Sequence, residues 1–250
     1  KNMVSIEINK GIGIITFGTE AHNSLPSSVL KDLADSITGM GANDAVKVII
    51  LKSEGEKTFC AGASFDELAA INDEATGLKF FSGFANVINA CRKCPKFIIG
   101  RIQGKAVGGG VGLASAVDYA IASQYASVKL SELAVGIGPF VVGPAVQRKM
   151  GLSAMSELAI NATEWRTARW AKEKGLFNEV FDTIEQVDDY VNFLADILIK
   201  HSPEAMAEMK KVFWEGCENW DKLLLDRAAI SGKLVLSDYT KDAIRKFKGA

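Results

Sequence analysis

Histidine is scarce: the 250 residues hold only His22 and His201. Zinc-hydrolase and Ser-His-Asp chemistry therefore have few residues to work with. Long apolar runs are missing as well. None approaches the roughly 20 residues that a membrane-spanning helix needs, and Lys1-Asn2-Met3 opens no apolar stretch of the signal-peptide kind. The expectation is residence in a reducing compartment, the cytoplasm. An excess of one charge is also absent, because 29 basic residues against 30 acidic ones leave a formal net charge of -1. That speaks against a broad nucleic-acid surface and leaves room for a local patch that holds a phosphorylated small ligand. Cysteine is limited to Cys60, Cys91, Cys94 and Cys217. Cys91-x-x-Cys94 is a lone pair without a second pair or a nearby histidine, so it reads as helix-end cysteines rather than a zinc or redox motif. No Gly/Ser/Pro-rich linker breaks the chain, which argues against two flexibly joined domains.

What is present is an ordinary globular balance of 48% hydrophobic and 24% charged residues. Residues 3–8 and 12–17 alternate apolar and polar around Gly11 and predict a hairpin. Val29, Leu33, Ile37 and Met40 share one face of a helix over 26–40, opened by Pro26. Val46 to Leu51 reads as a buried strand, Phe65 to Ile71 as a short helix, and 76–93 as a longer helix with Phe80, Phe84, Val87 and Cys91 in step. A strand over 97–102 leads into a glycine segment, then a small-residue helix (Leu113 to Ala116) and a strand around 119–122. Strands alternating with helices imply an α/β fold. From about residue 140 the chain reads as mostly helical. Its large apolar residues either pack on their own core or cover a partner subunit. The expected division is an α/β core over 1–190 and a helical region over 191–250.

Three segments carry chemistry: Phe59 to Phe65, the loop Gly108-Gly109-Gly110, and Leu130-Ser131-Glu132. Consecutive glycines let a ligand approach the main chain. Ahead of a helix, such a loop points free N–H groups at the positive end of the helix dipole. The alternative is a tight strand–helix junction. A dinucleotide fingerprint fails, because Gly110-Val111-Gly112-Leu113-Ala114-Ser115 lacks the third glycine. A P-loop fails too, since no Gly-Lys-Ser/Thr follows. The Ala61-Gly62-Ala63 turn offers a second N–H donor at Ala63. Two N–H groups converging on one carbonyl oxygen form an oxyanion hole, each worth about 3 kcal/mol in acyl chemistry.

Phe59-Cys60-Ala61-Gly62-Ala63, then Ile102-Gln103-Gly104 through Gly108-Gly109-Gly110-x-x-Leu113-Ala114-x-x-x-Asp118, then Leu130-Ser131-Glu132-x-x-x-Gly136, resembles the crotonase (enoyl-CoA hydratase/isomerase) superfamily in order and spacing. Asn23-Ser24-Leu25 resembles the family's early Asn-x-Leu segment, and Ala168 to Val180 its later Ala…Gly-Leu…Val segment. The resemblance implies a spiral of repeated strand–strand–helix units with a helical C-terminal region. It also implies a homotrimer or dimer of trimers, and an acyl-CoA substrate with no further organic cofactor and no metal. It assigns the oxyanion-hole N–H groups to Ala63 and Gly109. Asn23, Ser24, Leu25, Ala61, Gly62 and Ala63 line the coenzyme A path, with Gly108, Gly109 and Gly112 beside them.

One departure bears on the reaction. Two-glutamate hydratases carry a Glu two residues after the third loop glycine, where this chain has Gly112; the second family glutamate matches Glu132. The pairing of Gly110-Val111-Gly112-Leu113 with Leu130-Ser131-Glu132 and Gly136-Ile137-Gly138-Pro139 resembles the methylglutaconyl-CoA hydratase-like subset. The expectation is an enoyl-CoA hydratase with Glu132 as the single acid/base, on a branched substrate such as methylglutaconyl-CoA. The alternatives are a Δ3,Δ2-enoyl-CoA isomerase, and a thioester hydrolase or non-catalytic acyl-CoA binder. Ser131-Glu132 could instead be a helix-capping arrangement. Asp66, Glu67, Arg148 and Lys149 read as solvated helix residues, Lys105 as exposed, and Phe213, Trp214 and Trp220 as core.

Overall fold

A hairpin begins the chain. β1 (Met3–Asn9) and β2 (Ile12–Gly18) pair antiparallel through a turn in which Lys10 and Gly11 both take positive φ. That backbone twist matches the strands, and Gly11 adopts it without strain. The structure, a computed structural model, describes residues 2–249. After the hairpin come β3 (Ser24–Leu25), α1 (Ser27–Ala42), β4 (Val48–Ser53), β5 (Thr58–Cys60), β6 (Gly62–Ala63), α2 (Phe65–Ala69) and α3 (Glu74–Lys93). Then follow β7 (Ile98–Ile102), β8 (Lys105–Val107), α4 (Gly109–Ala116), β9 (Tyr119–Ser123), β10 (Val128–Lys129) and a 3-10 turn at Glu132–Val135. The remainder is α5 (Gly143–Ile160), α6 (Ala168–Glu173), β11 (Glu179–Phe181), α7 (Ile184–Leu198), α8 (Pro203–Phe213), α9 (Trp220–Leu234) and α10 (Asp238–Phe247).

The unit repeats. β2, β4, β7 and β9 enter one six-stranded sheet of order β1-β2-β4-β7-β9-β11, parallel except at the hairpin. The short strands that follow them form two small parallel sheets, β10-β8-β5 and β3-β6. A helical segment comes next each time, which gives the expected spiral of strand–strand–helix units.

The central strands are buried on both faces, as parallel strands between helices are. Along β4, Ile49 and Leu51 join the main core with α1, α3 and α4, while Val48 and Ile50 face α7. Ile98 and Ile99 split the same way. The opposite core is completed by Ile121 and by Val187, Val191 and Ala195 of α7. The expected division at residue 190 falls inside α7.

The fold departs from the sequence reading at several points. α4 begins at Gly109, not at Leu113, so the loop glycines are themselves the first helical turn. Pro26 is the N-cap of α1, one residue before the helix. β11 and the short strands were not read from the sequence. Arg148 and Lys149 are not a solvated helix end. Arg148 lies 3.5 Å from the Trp214 ring centre and donates to the Phe213 carbonyl, and burial depresses the Lys149 pKa. Trp214 and Trp220 are core residues, edge to face at 5.5 Å, but Phe213 is exposed. Cys91 lies in the last turn of α3 and Cys94 caps it; both are buried and unpaired.

Candidate active site

The glycine loop is held from outside by close contacts. A methyl group on Gly110 would stand 2.2 Å from the Cys60 carbonyl oxygen, and one on Gly109 would stand 2.5 Å from the Phe84 ring. Only glycine lets α4 start this near β5 and α3. Gly108 supplies the turn with φ 55°. Its N–H bonds the Lys129 carbonyl, and its own carbonyl accepts from Val111 and Gly112. The N–H of Gly109, first in the helix, has no acceptor among the described residues, as helix starts leave theirs.

The facing segment is β6. Ser64 N–H bonds the Leu25 carbonyl at 3.2 Å, and hydrogen bonds alternate along a strand, so Ala63 N–H points away from β3. Gly62 lies against the glycine loop: a methyl group on it would stand 3.0 Å from the Val107 oxygen and 3.5 Å from Gly109 N. The Ala61-Gly62-Ala63 turn and Gly108-Gly109 are therefore neighbours, each with an outward N–H.

Glu132 opens the 3-10 turn and lays its carboxyl on Gly108; a methyl group there would be 3.3 Å from Oε2 and 3.6 Å from Oε1. Ser131 makes no capping bond, so the helix-cap reading of Ser131-Glu132 is wrong. Oε1 is buried and has no hydrogen-bond partner among the described residues. Burial pushes the carboxyl up to about 7, against a smaller opposing effect of its own backbone N–H. No cation contributes to that shift. A carboxyl poised near neutral pH, with one oxygen left unpartnered, can both take and give a proton.

Gly112, where a second carboxyl would stand, is filled from the other side. A methyl group on it would meet Val142 Cγ1 at 2.4 Å and Ile88 Cδ1 at 3.6 Å. Phe84, Ile88 and Val142 thus form apolar walls that the sequence reading did not single out for the site. Phe84 showed only as one step of a helical stripe, and nothing local marks Val142.

The structure brings Ala61, Gly62, Ala63, Gly108, Gly109 and Glu132 together, with Ser24 and Leu25 paired to Gly62 and Ala63 one strand away. The Asn23 side chain is occupied by the protein. It donates to the Glu54 and Thr58 carbonyls, both at 2.8 Å, and accepts from Thr19 N–H. The Asn23 main-chain carbonyl accepts from Ala61 N–H, so Asn23 fixes the turn that carries Ala63. Glu67 is not a solvated helix residue. It accepts from the Ser27 N–H and hydroxyl at the start of α1, where a helix dipole favours negative charge. Asp66 is exposed. Lys105 is exposed and sits 5.2 Å from the Trp165 ring centre. Among the described residues no group of histidine, cysteine and carboxylate side chains could hold a metal ion, and no helix is long and apolar enough to cross a membrane.

Comparison with known proteins agrees with this geometry. The family model "Enoyl-CoA hydratase/isomerase" matches residues 7–245. Mitochondrial methylglutaconyl-CoA hydratase of Mus musculus is 30% identical over 217 residues, 85% of this chain and 68% of that protein; the chain spans 63% of the human counterpart. The short-chain-enoyl-CoA hydratase of Clostridium acetobutylicum is 28% identical over 98% of this chain and 94% of its own length. The crystal structure of enoyl-CoA hydratase from Bacillus halodurans superposes with a TM-score of 0.90 at 20% identity, over 97% of this chain and 99% of that one. The one from Bacillus anthracis gives 0.79 at 25%, over 98% and 96%. The chain has the crotonase fold and is an enzyme of the enoyl-CoA hydratase/isomerase family.

Proposed function

We propose that the chain hydrates the double bond of a 2-enoyl-CoA thioester through an enolate, with Glu132 as the single acid/base. The observation that carries this reading is the Glu132 carboxyl lying on Gly108 beside the two outward N–H groups, with its Oε1 buried and unpartnered among the described residues. The thioester oxygen sits between the N–H groups of Ala63 and Gly109. As water attacks the β-carbon, the Glu132 carboxylate takes one of its protons and the electron pair of the double bond moves onto the thioester oxygen. The two N–H groups hold that charge as it develops. The carboxyl then returns the proton to the α-carbon, so that one water has added across the bond. The path past Asn23 to Leu25 and Ala61 to Ala63 accommodates the coenzyme A arm. The methylglutaconyl-CoA hydratases among the relatives favour a branched substrate of that kind. Cytoplasmic residence belongs to the same reading, as the four free, buried cysteines suit a reducing compartment.

A second reading is isomerisation of a 3-enoyl-CoA. It is favoured by Val142 standing where a second carboxyl would divide the labour of hydration; one base that removes and returns a single proton needs no partner. Ultraviolet absorbance of the conjugated thioester separates the two. With a panel of straight and branched substrates, loss of absorbance from 2-enoyl-CoA is the expected result. Gain of absorbance from 3-enoyl-CoA without that loss selects the isomerase. Silence on every substrate while acyl-CoA still binds rejects both, in favour of a hydrolase or a binding protein.

A further inference from the structure

We propose that Thr240 of α10 is a positioning residue for Glu132: its hydroxyl holds the 3-10 turn so that the acid/base carboxyl stays over Gly108. The inference rests on the active-site reading above and deepens it.

The Glu132 carboxyl is not steered by a neighbouring side chain. Oε1 has no partner among the described residues, and the N–H that acts on the carboxyl is its own. Its place is therefore set by the main chain that carries it. That chain is a single 3-10 turn, Glu132–Val135, ended by Gly136 at φ 80°. Gly136 N–H bonds the Leu133 carbonyl and Ile137 N–H bonds the Glu132 carbonyl. One short turn of this kind is weakly held by itself.

The tie to another element comes from α10. Thr240 Oγ1 donates to the Val135 carbonyl at 2.7 Å and accepts from Ser237 Oγ at 3.1 Å. The other carbonyl in reach, Leu234, is farther at 3.4 Å, so the hydroxyl proton is aimed at the turn. Thr240 is the one buried residue of α10, with 0% exposure. A helix that needed only to pack would bury an apolar side chain there. A buried hydroxyl instead makes a directional bond, and losing it leaves the Val135 carbonyl without its donor. The contact is close. A methyl group on Gly136 would stand 2.6 Å from Thr240 Oγ1 and 2.6 Å from Tyr239 Cδ1, so only glycine lets α10 lie directly on the turn. At the other end of α10 the Phe247 ring lies 4.4 Å from that of Phe65, two residues after Ala63. One helix thus rests on the turn that carries the acid/base and reaches to the segment that carries an oxyanion donor.

Thr240→Val keeps the shape and removes the hydroxyl; Thr240→Ser keeps the hydroxyl. Amide hydrogen exchange of the free chain is read beside hydration of 2-enoyl-CoA, with Glu132→Gln in the same assay. Thr240→Val is expected to speed exchange over residues 131–137 by roughly tenfold and to leave β4 and β7 as in the parent. Its kcat falls about tenfold or more, since a displacement of about 1 Å is enough for that, while KM stays within about threefold. Thr240→Ser recovers most of both. Unchanged exchange in the turn overturns the proposal. So does a kcat within about threefold of the parent, a serine variant as impaired as the valine one, or exchange that rises equally along the whole chain, which is the mark of a residue that only stabilises the fold. The active-site reading fails separately. Full activity in Glu132→Gln, or no hydration by the parent, sinks that reading, and the local exchange of the turn then decides this one.

Discussion

At the scale of the residue, Glu132 links stability to function with opposite signs. Its carboxyl is raised by burial from 4.5 to about 7, so the folded chain binds that proton more tightly than the unfolded chain. Stability contributed by the neutral carboxyl is complete below pH 4.5 and is lost as the pH rises from there through about 7. Glu132→Gln keeps the shape and removes the charge. The variant is expected to melt higher than the parent at about pH 8, and the difference to vanish near pH 4.5; equal differences at both would contradict the burial account. Glu132 was legible in the sequence because Leu130-Ser131-Glu132 is a local motif that follows the glycine loop in order. Glu67 and Val142 were not. Their partners, Ser27 and Gly112, are far away in the chain, and no local pattern encodes such a meeting. Asn23 was read as a substrate contact from a short motif. Its three side-chain hydrogen bonds to Thr19, Glu54 and Thr58 came into view only with the loops that surround it.

At the scale of the element, the site depends on how near α4 can start to β5. Gly110 decides that distance, because any side chain would meet backbone at Cys60 rather than a movable side chain. Gly110→Ala is expected to cost about 3 kcal/mol, the upper range of overpacking, and to displace the Gly109 N–H. A denaturant titration measures the first and kcat the second. A variant with unchanged midpoint would show that the loop is slack. The long helices were legible, since α1 and α3 carry apolar stripes over four or more turns. β3, β6 and β10 were not, because two residues cannot display a period of two. The start of α4 was missed for a related reason: glycine has poor helix propensity, and the contacts that demand it there come from Phe84 and Cys60.

At the scale of the molecule, the C-terminal helices are tied to the sheet through a buried ion pair. Lys210 of α8 reaches Asp118 at 2.9 Å and also donates to the Lys96 carbonyl, while Asp118 accepts from Ile98 N–H and Trp214 Nε1. Both side chains are largely out of water, at 3% and 9% exposure. Lys210→Met leaves the carboxylate without its cation and is expected to cost about 3–5 kcal/mol. Adding Asp118→Asn recovers part of it, as chemical denaturation of the single and double variants would show. Met209, Val212, Leu225, Ile230 and Leu234 on α8 and α9 stay exposed in the single chain. A homotrimer or dimer of trimers that covers them is the assembly we propose. Light scattering should give a mass three or six times 26.9 kDa; a stable monomer would reject it.

The central claim is that one carboxyl runs the reaction. It is tested most directly by the rate of hydration of 2-enoyl-CoA as a function of pH, for the parent and Glu132→Gln together. The account predicts a parent profile that turns near pH 7, where the Glu132 carboxyl titrates. It also predicts a variant slower by roughly a hundredfold or more at every pH, with acyl-CoA still bound. A variant within tenfold of the parent, or a parent profile flat through pH 7, would contradict it.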